Sequence, residues 1–191
     1  MFNIPCVIFA GGRSSRMGKD KSLLRFGNSN TLTEFQLHRL QKLFKTVYIS
    51  CKTKDKFNFD ANFIEDIKTD NIFAPTTGFV AVYKQLQENS FFALSVDAPF
   101  VDRSEIKKII DSDTPNLDAC IAKTNFGIQP MCGIYHYSLE EKFIKMLKDE
   151  NHKLGFLLHS SNTKFIKFDD ESPFLNINYP DQYQKAQAKN R

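Results

Sequence analysis

With 41% hydrophobic and 25% charged residues over 191 positions, the composition is that of an ordinary soluble globular chain, which excludes a disordered or membrane-embedded protein. The length suits one well-buried domain, residues 1–191, and is short for two. The net charge of +4 is modest and its lysines are spread over predicted helix faces, so neither a nucleic-acid partner nor a membrane surface is expected.

The first predicted element is a buried strand, the apolar run Ile4 to Phe9, too short for a signal peptide or a spanning helix. It leads into Phe9-Ala10-Gly11-Gly12-Arg13-Ser14-Ser15-Arg16-Met17-Gly18-Lys19-Asp20-Lys21. The glycines let the backbone turn tightly and approach a ligand, and Arg13, Arg16, Lys19 and Lys21 gather positive charge in the same stretch. That combination suits a polyphosphate. Neither familiar phosphate loop fits it. The dinucleotide fingerprint needs Gly-x-Gly-x-x-Gly, whereas Gly11 and Gly12 are adjacent; the Walker A loop needs Gly-Lys-Ser/Thr, whereas Asp20 follows Lys19.

Beyond the glycine stretch, Thr31 to Glu34 reads as a capping box opening a helix with Leu37, Leu40 and Phe44 on one face. Val47, Ile49 and Cys51 mark the next strand, and Asn62 to Glu65 a short third one. The alternation of Lys52, Lys54 and Lys56 between them reads as a solvated loop. Ala74-Pro75-Thr76-Thr77-Gly78 introduces a helix patterned by Phe79, Val82, Tyr83 and Leu86. The most apolar strand, Phe91 to Val96, stops at Asp97-Ala98-Pro99, and a helix from Arg103 to Ile110 follows.

A strand at Ala119 to Lys123 comes next, then Gln129-Pro130-Met131-Cys132-Gly133-Ile134-Tyr135. A second capping box, Ser138 to Glu141, opens a helix through Leu147; Leu154 to Leu158 reads as a further short helix and Phe165 to Phe168 as a strand. In Asn176-Ile177-Asn178-Tyr179-Pro180-Asp181, Pro180 is placed to begin a terminal helix. Cys6, Cys51, Cys120 and Cys132 form no C-x-x-C pair, which argues against a zinc or redox motif and fits a reducing cytoplasm.

Alternation of strands and helices predicts an α/β fold: a doubly wound, mainly parallel sheet covered on both faces, Rossmann-like in architecture, with ligands at the carboxyl ends of the strands. Asp97, ending the most apolar strand, would project into that crevice.

The residues Ala10 to Lys21 resemble the A-G-G-x-x-x-R-M-G-x-D-K signature of nucleotidyltransferases, most closely that of the molybdenum cofactor guanylyltransferases, the MobA family. Asp97-Ala98-Pro99, Gln129-Pro130 and Asn176 to Asp181 resemble, in order, further motifs of the family, so the likeness extends over nearly the whole chain. Thr76-Thr77, where Leu-Ala is common, and Tyr179, in place of a threonine, depart from its pattern. The resemblance implies transfer of GMP from GTP to molybdenum-molybdopterin with release of pyrophosphate, Mg²⁺ as cofactor, and transient contact with molybdoenzymes or their chaperones.

By the same resemblance Phe9, Ala10, Gly11, Gly12, Lys21, Asp66, Pro75, Gly78 and Asp97 would bind GTP, and Arg16, Lys21 and Asp97 would be catalytic. Asp97 would hold the metal, and Asn176 and Asn178 would contact the acceptor; Arg13 and Lys19 fall at its variable positions. Two alternatives stay open. A cytidylyl- or sugar-phosphate nucleotidyltransferase would use the same glycine stretch, and a non-catalytic GTP-binding subunit would not need Asp97.

Overall fold

The computed structural model describes residues 1–12, 16–67 and 75–189. Strands β1 (Cys6–Phe9), β2 (Val47–Cys51), β3 (Asn62–Glu65), β4 (Ser90–Ser95), β5 (Ala119–Thr124), β6 (Gly127–His136) and β7 (Thr163–Lys167) join in one sheet of order β3-β2-β1-β4-β6-β5-β7. Strand β6 runs antiparallel to β4 and β5, and every other neighbouring pair is parallel. The carboxyl ends of β1, β2, β3 and β4 therefore lie along one edge.

Side-chain alternation sorts the core into two layers. Cys6 and Ile8 of β1, with Phe92 and Leu94 of β4, face α1 (Leu32–Leu40) and α3 (Arg103–Ser112). Ala186 of the terminal helix α6 (Pro180–Lys189) joins this side. Val7 and Phe9, with Phe91 and Ala93, face α2 (Pro75–Leu86), α4 (Glu140–Lys148) and the short α5 (Leu154–His159). The predicted doubly wound α/β architecture is thus present. Strands so deeply covered on both faces read as continuous apolar runs, which is why they are plain in the sequence.

Differences from the sequence-based expectations have local causes. Strand β1 starts at Cys6 rather than Ile4, because Pro5 has no N–H to donate; its carbonyl still accepts from the Phe92 amide at 2.8 Å. At the start of α1 the Thr31 hydroxyl caps the Glu34 amide at 3.0 Å, but the Glu34 carboxylate reaches past Thr31 to the Asn30 amide at 2.7 Å, so the box is half formed. The second box does not form: Ser138 donates instead to Asp118 at 2.6 Å, a one-turn 3₁₀ segment intervenes, and α4 begins at Glu140. Gln129 and Pro130 lie inside β6, beside the register shift opposite Ile121 and Lys123, where a missing N–H is tolerated. Strand β7 starts two residues earlier than expected and ends at Lys167.

All four cysteines are buried, in β1, β2, β5 and β6, and burial pushes the thiols of Cys51, Cys120 and Cys132 up to about 12, with Cys6 also raised. They are packing groups. Among the described residues no helix is long and apolar enough to cross a membrane.

Candidate active site

Where β1 ends, the Ala10 amide still bonds the Ser50 carbonyl at 2.8 Å, so the chain leaves the sheet edge at Gly11. Phe9, Gly11, Gly12, Ser50, Asp66, Pro75, Gly78, Ser95 and Met131 line a pocket there. Two glycines fit because they are crowded by one carboxylate. A Cβ on Gly11 would stand 2.7 Å from Asp66 Oδ2, and one on Gly78 would stand 2.7 Å from Ser50 Oγ and 3.2 Å from Asp66 Oδ1. Glycine at both positions therefore leaves the Asp66 carboxylate its place, where a Cβ would push against it or Ser50.

Asp66 is fixed by its amide, which donates to the Cys51 carbonyl at 2.8 Å, and by the Ser50 hydroxyl, which donates to Oδ1 at 3.0 Å. Burial dominates its environment and holds its carboxyl above the ordinary aspartate range, against the opposing Ser50 hydrogen bond and the Lys52 and Lys56 charges. The result is an acceptor-rich group in a partly apolar pocket.

Ser95 links this pocket to a second group of residues. Its hydroxyl donates to Asp97 Oδ1 at 2.6 Å, while Asp97 Oδ2 pairs with the Lys21 ammonium. Lys21 also donates to Asn178 Oδ1 at 2.9 Å. The Lys21 and Asp97 side chains are only 14% and 13% exposed, so their charges are little screened. Asn178 is held in place from both sides, because the Ile177 amide bonds the Asp97 carbonyl at 2.9 Å and the Asn178 amide bonds Gln182 Oε1 at 2.8 Å. The terminal segment and the glycine stretch thus meet over the end of β4.

Most of the residues singled out in the sequence fall into two adjoining groups. Phe9, Gly11, Gly12, Asp66, Pro75 and Gly78 share the pocket, and Lys21, Asp97 and Asn178 share the adjoining polar group. Ala10 is buried behind the glycines. Arg16 stands exposed at the rim, with Nη1 donating to the Tyr179 hydroxyl at 3.3 Å and the guanidinium 5.4 Å from the ring centre. Tyr179, the departure from the family threonine, thereby engages Arg16. Asn176 is not brought to this group; it lines a separate groove with Phe100, Leu175 and Lys185. Of the other departures, Thr76 and Thr77 are buried at the start of α2, Thr76 Oγ1 lying 2.7 Å from His152 Nδ1. Arg13 and Ala74 lie outside the described residues.

Sequence reasoning passes over Ser95, Met131 and Lys56. The first two carry no motif of their own. Lys56 sits in a charge alternation that reads as solvated, yet its ammonium turns inward onto the glycine stretch.

Residues 6–163 match the model of the MobA-like NTP transferase domain. The chain is 39% identical over 184 residues to a molybdenum cofactor guanylyltransferase of Campylobacter jejuni subsp. doylei, covering 96% of this chain and 95% of that one. It is 32% identical over 189 residues to a molybdenum cofactor guanylyltransferase of Helicobacter pylori, covering 96% and 92%. The crystal structure of molybdopterin-guanine dinucleotide biosynthesis protein A from Archaeoglobus fulgidus superposes with a TM-score of 0.82 at 20% identity, over 97% of this chain and 98% of that one, and supports the fold. Matched by that domain model over residues 6–163 and by these relatives along nearly its whole length, the chain belongs to the MobA-like NTP transferase family.

Proposed function

We infer that this protein transfers GMP from GTP to molybdenum-molybdopterin, giving the guanine dinucleotide form of the cofactor and pyrophosphate. The names of relatives at 39% and 32% identity support that reaction over the cytidylyl and sugar-phosphate alternatives. The observation that carries the base choice is the half-buried carboxylate of Asp66 between Gly11 and Gly78. Guanine presents two adjacent donors, N1–H and the 2-amino group, which one carboxylate accepts together. Adenine and cytosine each present a ring-nitrogen lone pair beside a single amino donor, which a carboxylate repels.

The transfer itself demands little beyond placement and charge. A phosphate oxygen of the acceptor attacks the α-phosphorus, the bond to the β-phosphate oxygen breaks, and pyrophosphate departs; an acceptor already ionised needs no general base. In this reading the Gly11 and Gly12 backbone receives the phosphates, Lys21 and Arg16 neutralise them, and Asn178 faces the acceptor. The Asp97 carboxylate fits Mg²⁺, since this ion usually takes one or two protein carboxylates plus phosphate oxygens; with the ion on Asp97, the Lys21 ammonium would be turned to the phosphates. When bound, Mg²⁺ supplies further charge neutralisation on the phosphates, and Asp97 is the residue that would hold it.

Calorimetric titration tests the base assignment. GTP should bind more tightly than ATP, CTP or ITP, with ITP about tenfold weaker than GTP because it lacks the 2-amino donor. GTP affinity should be full above the raised Asp66 value and fall as pH drops through it, because a protonated carboxyl turns a donor toward guanine's donors. The loss should therefore begin at higher pH than for an ordinary aspartate. Asp66→Asn should remove both the preference and this pH dependence. Tighter binding of CTP would transfer the protein to the cytidylyl alternative.

A further inference from the structure

Lys56 closes a one-turn 3₁₀ segment, Lys54–Lys56, after β2, and that turn is anchored on both sides. The Lys54 amide bonds Glu65 Oε1 at 2.8 Å, the Phe57 amide bonds the Lys54 carbonyl at 2.9 Å, and the Phe57 ring stacks on Phe63 at 5.5 Å between centres. From this fixed base the Lys56 ammonium reaches three acceptors: the Ala10 carbonyl at 3.3 Å, Asp20 Oδ2 at 2.9 Å and Ser22 Oγ at 2.9 Å. An ammonium has three N–H donors, so each has a partner. Ala10 stands immediately before the glycine pair, and Asp20 and Ser22 flank Lys21. One side chain on a third segment therefore spans both ends of the glycine stretch.

The far end is tightened further. Asp20 Oδ1 accepts from the Ser22 amide at 2.9 Å and from the Ser22 hydroxyl at 2.6 Å, and the Ser22 carbonyl accepts from Thr33 Oγ1 on α1 at 2.8 Å. Burial opposes the Asp20 charge, but the Ser22 and Lys56 hydrogen bonds outweigh it and hold the carboxyl below the ordinary aspartate range. Lys21 is left in a short 3₁₀ turn between two restrained residues, with its ammonium aimed at Asp97 and Asn178.

We propose that Lys56 is a positioning residue: it staples the two ends of the glycine stretch together and so sets where Lys21 stands. The proposal rests on the reading of that stretch as the triphosphate site. Because its donors are spent on the protein, Lys56 acts on the phosphates only through Asp20, Ser22 and Lys21.

The test uses the full chain with Lys56→Met, Asp20→Asn, the double variant, and Lys54→Met as a neighbouring control. Hydrogen exchange of residues 16–24 is followed beside the binding of GTP and of guanosine, which has no phosphates. At alkaline pH, where Asp66 is ionised with or without the Lys56 charge, Lys56→Met should speed exchange in 16–24 about tenfold and weaken GTP about tenfold, while guanosine binding and exchange in α1 stay at wild-type values. Asp20→Asn should do the same, the double variant should be no worse than either single one, and Lys54→Met should resemble wild type. Lys56→Arg, which keeps the charge, should recover most of the slow exchange and guards against a methionine variant that fails to fold. Unchanged exchange in Lys56→Met, equal weakening of guanosine and GTP, or additive single effects would overturn the staple. Slower GMP transfer is expected to accompany the GTP loss; wild-type protein that transfers no GMP, yet shows these exchange effects, would retire the proposed reaction and uphold the staple.

Discussion

Replacing Asp97 with asparagine should leave a folded protein that releases pyrophosphate at least ~10²-fold more slowly than wild type, with little recovery on added magnesium. The amide keeps the shape, can still accept from Ser95, and leaves untouched the Asp97 carbonyl that bonds the Ile177 amide. What it removes is the negative charge facing Lys21. If Asp97 holds Mg²⁺ against the triphosphate, a neutral amide is a poor ligand for that hard cation and catalysis suffers most. If Asp97 served only to close the turn before Pro99, the cost would be about 1 kcal/mol, or roughly 2–4 °C in Tm, with turnover nearly intact. A non-catalytic GTP-binding subunit predicts that second pattern. Thermal melting beside turnover separates the two, and a destabilised but fully active Asp97→Asn protein would refute the metal role.

The second large effect is expected at Lys21. Lys21→Ala should lower turnover at saturating GTP by about 10²-fold, the loss typical of one preorganised charge stabiliser, while guanosine binding holds. The structure places the Lys21 ammonium between Asp97 and Asn178, at the junction of the glycine stretch and the terminal segment. It is therefore a point charge with a defined seat. Lys21→Arg should recover little, because a planar guanidinium cannot take the same single-point position between two oxygens. Unchanged turnover in Lys21→Ala would contradict the assignment.

The centre of the sheet is legible in the sequence because strands β1, β2, β4 and β5 are buried on both faces. Ile4 to Phe9 and Phe91 to Val96 stand out as apolar runs, and the turn chemistry around Gly11, Gly12 and Pro99 marks where they end. The antiparallel insertion of β6 is not legible, since pairing direction leaves no trace in apolar periodicity. Capping boxes mislead twice for one reason: Glu34 and Ser138 find better partners in Asn30 and Asp118, which spacing along the chain cannot reveal.

Much of the site is written in consecutive residues and can be read. Gly11, Gly12 and Asp97 announce themselves by position after strand ends, and Lys21 by closing the glycine stretch. Asp66 and Gly78 emerge only through the family likeness, and the structure supplies the physical reason they go together, namely that the carboxylate occupies the space two missing Cβ atoms leave. Lys56 shows the opposite limit. Its role depends on β2 lying beside β1, so that the turn after one strand faces the glycine stretch after the other. A solvated lysine and a half-buried staple look alike until that adjacency is known.

The most direct measurement of guanylyl transfer follows the label from [α-³²P]GTP in the presence of molybdenum-molybdopterin, alongside the corresponding ATP and CTP. The α-phosphate of GTP should appear in a dinucleotide form of the cofactor with one pyrophosphate released per transfer, and ATP and CTP should label it poorly. Transfer from CTP in preference to GTP, or GTP binding with no label passed to the acceptor, would contradict that assignment.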